Sequence, residues 1–286
     1  MKKLISFFVL VALQISLVNA EDTLIKEYSY DLMTYDASGV LSPSGIDIDG
    51  VNVAISAWAD TAISVQTISG RTCIWIFCRN TSVETTEDLD TIESATAQLV
   101  DGYGYGIRNN LESPGDHQTI DNYSDKVNGT FVNSFEYLLF SFDSEVNITK
   151  VDFGWHAEHD QQVSVVSIAN PDEIEGASWS SLVSNQTTLN AISDSFNIIG
   201  DKENGSATLN SLKSSYSNYW LVGAYNKVFG DIGGYDNNDE FKISSIHFET
   251  KLTKKTPPST EVNEPGALAL MSLGLGLVLY RRKHRA

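Results

Sequence analysis

The chain is short of positive charge. Its 286 residues hold 19 Lys and Arg against 37 Asp and Glu, a formal net charge of −18. A surface of that sign repels phosphate backbones and opposes nucleic-acid binding. Cysteine is nearly absent, with Cys73 and Cys78 alone, too few ligands for a thiolate zinc site. No G-x-S-x-G elbow, P-loop, EF-hand loop or H-E-x-x-H pair occurs. Those absences remove the motif-borne serine hydrolases, nucleotide hydrolases, calcium sensors and zinc peptidases. Carboxylates are plentiful, so a glycosidase pair is not excluded by counting, because separation in space defines such a pair. The reading is of a protein that is not an enzyme.

What remains is rich in Ser, Thr, Asn, Asp, Val, Ile and aromatic residues, a β composition. Residues 51–58 place Val51, Val53 and Ile55 on one face of a strand. Tyr28, Tyr30 and Leu32 alternate with polar neighbours, as do Val151, Phe153 and Trp155. Residues 135–142 are almost continuously apolar, as in a strand buried on both faces. Residues 163–168, 219–224 and 241–248 read as further strands. Gly, Asn and Asp clusters at Asn128-Gly129, Asn204-Gly205 and residues 230–239 separate them as turns. Residues 86–99 carry a weak helical spacing in Leu89, Ile92 and Glu93. There is no βαβ alternation and no internal repeat. The expected fold class is all-β, a β-sandwich of jelly-roll or galactose-binding-like kind.

Cys73 and Cys78 stand in Arg-Thr-Cys-Ile-Trp-Ile-Phe-Cys-Arg-Asn. A close, even pair in an exported chain predicts a local disulfide. Residues five apart on a straight strand cannot bridge, so the chain between them must turn back.

Gly102, Gly104 and Gly106 alternate with Tyr103 and Tyr105. On a strand the glycine face stays open to another backbone or a ligand. Two polar groups are candidate Ca²⁺ sites: Asp116, Asp121 and Asn122, and Asp231, Asp236 and Asp239. Hard oxygen donors suit Ca²⁺, and the same residues also cap turns. His156-Ala157-Glu158-His159-Asp160 follows a strand, where positions three apart face opposite ways, so an exposed turn is expected there in place of a metal site. Trp58, Trp75, Trp179 and Tyr105 are candidates for stacking on sugar rings, whereas Trp155 is expected in the core.

Both ends carry address labels. Lys2 and Lys3 precede an apolar run at 4–18 and a small-residue site at Val18-Asn19-Ala20, the layout of a secretory signal peptide over residues 1–20. The passenger domain is then 21–250 and a Pro-containing linker 251–262. Without Lys2, Lys3 and the four basic residues of the tail, 13 basic residues face 37 acidic ones, a formal charge near −24. The tail, 263–286, runs Glu264-Pro265-Gly266, an uncharged apolar stretch at 267–280, and a basic end at 281–286 with Arg281, Arg282 and Lys283. The apolar stretch has 14 residues, fewer than the roughly 20 of a comfortable span; terminal arginines can snorkel to extend it and orient that end to the cytoplasm.

This tail resembles the PEP-CTERM sorting signal read by exosortases in Gram-negative bacteria, with Asn263 where the usual motif has a proline. An uncleaved anchor is the alternative. The block at 96–166 is similar to the exosortase-dependent surface proteins that carry such tails. The resemblance implies export by the Sec machinery, a transient inner-membrane anchor through a membrane-spanning sorting helix, exosortase processing, and residence at the cell surface or in the extracellular matrix. It implies no activity. The expected role is structural or adhesive, linked to exopolysaccharide or biofilm; the competing reading is a carbohydrate-binding module, and the more distant one a polysaccharide-active enzyme.

Overall fold

The computed structural model describes residues 23–34, 41, 44–74, 77–112, 118–158, 161–186, 192–235, 237–253 and 264–284. The predicted signal peptide, Asp116, Asp236, Trp75 and the linker from 254 lie outside them. The chain divides into a body, residues 25–251, and a second unit made of the terminal segments.

The body is all-β. Its strands are β1 (Thr23–Asp31), β2 (Ile46–Ile48), β3 (Val51–Ala59), β4 (Ile63–Ile74), β5 (Phe77–Asp88), β6 (Glu93–Val100), β7 (Gly104–Arg108), β8 (Ile120–Asp121) and β9 (Asp125–Val127). They continue as β10 (Thr130–Val132), β11 (Glu136–His156), β12 (Gln162–Ile168), β13 (Ser193–Asn197), β14 (Ile199–Asp201), β15 (Asn204–Thr208), β16 (Ser217–Ala224) and β17 (Glu240–Thr253). The one described α-helix of the body is α1 (Trp179–Gln186).

Thirteen strands join in one hydrogen-bonded system, ordered β1-β17-β7-β6-β3-β11-β16-β12-β13 along its main path. β11 organises it. Its first part lies between β3 and β16, with Leu138 opposite both Ala57 and Val222. The register breaks between Ser141 and Val146, and the second part pairs with β17 and β15. A strand that shifts register in mid-course can turn a corner and serve two surfaces. Because β11 also pairs β17, the hydrogen-bonded path β17-β7-β6-β3-β11 returns on itself.

The expected burial of residues 135–142 on both faces is what the structure has. Leu138, Phe140 and Phe142 enter the main core with Val53, Ile55, Trp220, Ile246 and Phe248. Tyr137 and Leu139 face a second cluster with Trp179, Leu182, Leu221 and Phe229, where α1 covers the sheet. The alternation of two faces by single residues follows from the pleat. β3 keeps its odd residues Val51, Val53, Ile55, Ala57 and Ala59 buried, as its pattern predicts.

Two expectations change. Residues 86–99 are not helical: they end β5 and form β6, because pairing with β3 and β7 satisfies the backbone of Ala95–Val100 across the sheet. The true helix α1 starts at Ser178, whose Oγ accepts from Ser181 N at 3.2 Å, an N-cap at serine that the strand-dominated pattern hid.

β4 and β5 form a separate ribbon, paired residue for residue from Ile63–Asp88 at its base to Ile74–Phe77 at its tip. Cys73 and Cys78 are opposite each other there and are joined by a disulfide, as predicted. A smaller ribbon, β9–β10, props the base: Asn128 Nδ2 donates to Thr86 Oγ1 and Thr130 Oγ1 to the Thr86 carbonyl.

In the second unit α2 (Glu264–Lys283) is helical from Glu264 onward. Pro265 fits its first turn, where no N–H partner is lost. Among the described residues no helix is long and apolar enough to cross a membrane, so the expected membrane-spanning helix is not found. Fourteen apolar residues at 1.5 Å each reach about 21 Å, well under the ~30 Å hydrocarbon core.

Candidate functional site: a buried carboxylate cluster

β11 begins with the one charged residue of its apolar run, Glu136, which is fully buried. Its Oε1 accepts from Asn109 Nδ2 at 3.0 Å and its Oε2 from Asp121 N at 3.1 Å. Asn109 also donates to Ser134 Oγ at 2.7 Å, and its Oδ1 accepts from Leu111 N. Thus the loop after β7 is tied to the start of β11. β8 brings Asp121 alongside, its Oδ1 accepting from Tyr123 N at 3.1 Å. The Thr119 hydroxyl lies 3.3 Å from both Asp121 Oδ2 and Glu240 Oε1. Glu112 closes the group, its Oε2 accepting from Asn109 N. One carboxylate oxygen each from Glu112, Asp121 and Glu136 lies within 4.8 Å of the others.

Burial raises the carboxyl groups of Asp121 and Glu136 well above the carboxylate range, and repulsion from Glu112 and from each other or Glu240 adds to it. The hydrogen bonds they accept oppose the rise without cancelling it. Two like charges this close and this dry are not both ionised unless a cation joins them. Chemically the trio can hold protons, or a hard divalent cation on its oxygens.

The two predicted Ca²⁺ groups meet through hydrogen bonds between their described members. Asn122 Nδ2 donates to Asp239 Oδ2 at 2.8 Å, and Asp239 N donates to Asn122 Oδ1 at 2.9 Å. The remaining Asp239 oxygen accepts from Gln162 N, and Asn122 also donates to the Tyr225 carbonyl. Both residues are buried pins between distant loops. Asp231 sits in an exposed loop, accepting from Tyr225 Oη and Gly233 N. Of the described candidates only Asp121 belongs to the carboxylate trio. Glu112 and Glu136 were missed; a lone Glu in an eight-residue apolar run was the available signal.

The glycine face receives backbone, the first of its two expected guests. A side chain at Gly104 would collide with the Ile243 carbonyl, and one at Gly106 with the Gln118 carbonyl. His156 is buried, with Nδ1 2.7 Å from the Ala157 carbonyl and Nε2 3.0 Å from that of Asp201. Both ring nitrogens face carbonyl oxygens inside the fold, so His156 is not the exposed turn residue expected there.

A second polar group lies across β11 and β17. Asp152 accepts from His247 Nε2 at 2.6 Å, Lys150 Nζ at 2.6 Å and Ser245 Oγ at 3.0 Å. Burial would raise its carboxyl, but these three donors outweigh it and hold the group below its ordinary value. Ser245 donates to the carboxylate and not to the imidazole, which is not the arrangement of an activated nucleophile.

Of the aromatic candidates, Trp179 and Tyr105 are buried and Trp58 is half-buried. Trp155, expected in the core, is half-buried, with the Lys242 ammonium 4.5 Å from its ring centre.

No family model matches the chain, no curated protein matches it, and no solved structure matches it.

Proposed function

We propose that the chain is an exported bacterial cell-surface or extracellular-matrix protein, delivered by the Sec machinery and processed by an exosortase near Glu264-Pro265. The observation that carries this reading is the tail: Glu264-Pro265-Gly266, an apolar stretch, then Arg281, Arg282 and Lys283. The side chains of Met271, Leu273, Leu275, Leu277, Val278 and Tyr280 are all exposed in α2. A helix apolar all round calls for an apolar environment. Its shortness suits a signal held briefly at a membrane better than a permanent span.

The body serves as a structural or adhesive module, a β-sandwich of the jelly-roll or galactose-binding-like class, in contact with extracellular polysaccharide and without catalysis of its own. Mass spectrometry of the mature protein from hosts with and without exosortase tests the sorting step. A C-terminus near Glu264 that depends on the enzyme is expected; an intact Ala286 in both hosts makes the tail a plain anchor.

A second reading, a carbohydrate-binding module, is favoured by the half-buried Trp155 beside two lysines and a cleft. In either reading the carboxylate trio holds protons or a cation, and a melting temperature that rises in millimolar Ca²⁺ over chelator would assign it Ca²⁺.

A further inference from the structure

β11 ends beside β17, where Trp155 is opposite Lys242. The preceding residue, Gly154, has no side chain, and any Cβ there would collide with the Tyr103 carbonyl. That vacancy lets the three-residue β6–β7 turn lie against β11 and sets Tyr103 at the same edge as Trp155. Val100, Tyr103, Trp155, Glu240 and Lys242 line a cleft of about 430 Å³. Clefts of this size suit a small ligand.

Lys242 is the informative residue. It is only 6 % exposed, and its Nζ lies 4.5 Å from the centre of the Trp155 ring. Among the described residues its ammonium makes no hydrogen bond and no ion pair. Its Nζ keeps contact with solvent at the cleft, so an anion can meet the ammonium there. Burial pulls the Lys242 ammonium below its ordinary value, and Glu240 opposes that shift. The β14–β15 turn places Lys202 Nζ 5.2 Å from the same ring. Two ammonium groups therefore lie within 5.2 Å of one indole, in a protein whose net charge is −18.

We propose that this cleft binds an acidic sugar unit of a polysaccharide. Lys242 holds its carboxylate, Glu240 accepts from a ring hydroxyl, Tyr103 meets the apolar ring face beside Trp155, and Lys202, outside the cleft lining, adds attraction at longer range. Aromatic faces and cations act together in this way because the ring quadrupole stabilises the ammonium while the flat surface excludes water. The proposal rests on the carbohydrate-binding reading and gives it a site and a substrate class.

The test is titration of the mature protein with tetragalacturonate and with its uncharged methyl ester, followed by tryptophan fluorescence and calorimetry. Binding of the acid at least tenfold tighter than the ester is expected, weakening with salt. Lys242→Met and Trp155→Leu should each cost tenfold or more. Lys202→Met, on an exposed turn where folding is not at stake, should cost about threefold. Equal binding of acid and ester overturns the carboxylate preference. Binding of the acid that survives all three substitutions overturns the site while leaving the carbohydrate-binding reading in place. No binding of tetragalacturonate overturns the site as proposed. The broader reading is judged separately by retention on the host's own matrix polysaccharide, and its failure there removes both.

Discussion

The β4–β5 ribbon and the β11–β16 pair are built from the same antiparallel hydrogen bonds and live in opposite surroundings. In the ribbon, Val65, Ile68 and Val83 are 48–60 % exposed, and the paired residues stand close in sequence, from Ile74–Phe77 to Ile63–Asp88. In β11–β16, Leu138, Phe140, Trp220 and Val222 are fully buried, and the paired residues stand about eighty positions apart. Backbone pairing is common to both, so it does not account for the difference in stability. A lone hairpin is marginal in water; what holds the central pair is apolar area on two faces, and what holds the ribbon is a short loop closed by Cys73–Cys78. Twelve paired residues at about 3.3 Å each carry the ribbon some 40 Å from base to tip, most of it beyond the prop at Thr86.

The comparison is broken most strongly from within the core. Phe140→Ala should destabilise the body by about 3–5 kcal/mol, through lost burial and a cavity closed in by both layers. Denaturant unfolding reads this, and a loss below 1 kcal/mol would falsify the packing described for β11.

A buried acid at the ribbon's root sharpens it next. Asp60 is buried beside the first residue pair of the ribbon, and its Oδ1 accepts from Phe135 N at 2.6 Å. Burial pushes its carboxyl up to about 7. Because the folded value is raised, the native state holds a proton that the unfolded chain releases near pH 4. Stability is therefore fullest below pH 4, declines as pH rises through 4 to 7, and is level above that. Asp60→Asn keeps an acceptor for Phe135 N and removes the proton. Its stability should lose this part of the pH dependence and exceed the parent by a few kcal/mol at pH 8. A pH series of unfolding curves with the same slope in both proteins would count against the assignment.

Reducing the disulfide acts on the ribbon alone. Closing so short a loop is worth roughly 2 kcal/mol to whatever it stabilises. Amides of residues 66–85 should exchange markedly faster in Cys73→Ser/Cys78→Ser, while the melting temperature of the body moves by no more than about 2 °C. A large fall in the body's melting temperature would mean that the ribbon is part of its cooperative unit.

The smallest effect belongs to Val83→Thr, at a site 60 % exposed. It should change stability by less than about 0.5 kcal/mol, because Thr fits a strand as well and little area is lost from burial.

Periodicity in the sequence determined what depends on near neighbours. The alternation of residues 51–58, the apolar run at 135–142 and the six-residue span from Cys73 to Cys78 each specified a face, a depth or a reversal without reference to the rest of the chain. The pleat and the reach of a disulfide act over a few residues, so a local reading suffices. Only the tertiary structure decided that Asn122 pins Asp239 across 117 positions, that Glu112, Asp121 and Glu136 converge, and that Trp155 meets two lysines. Each of those depends on which strand pairs with which and in what register. A shift of one residue turns every side chain to the opposite face, and the pattern along one strand carries no record of its partner.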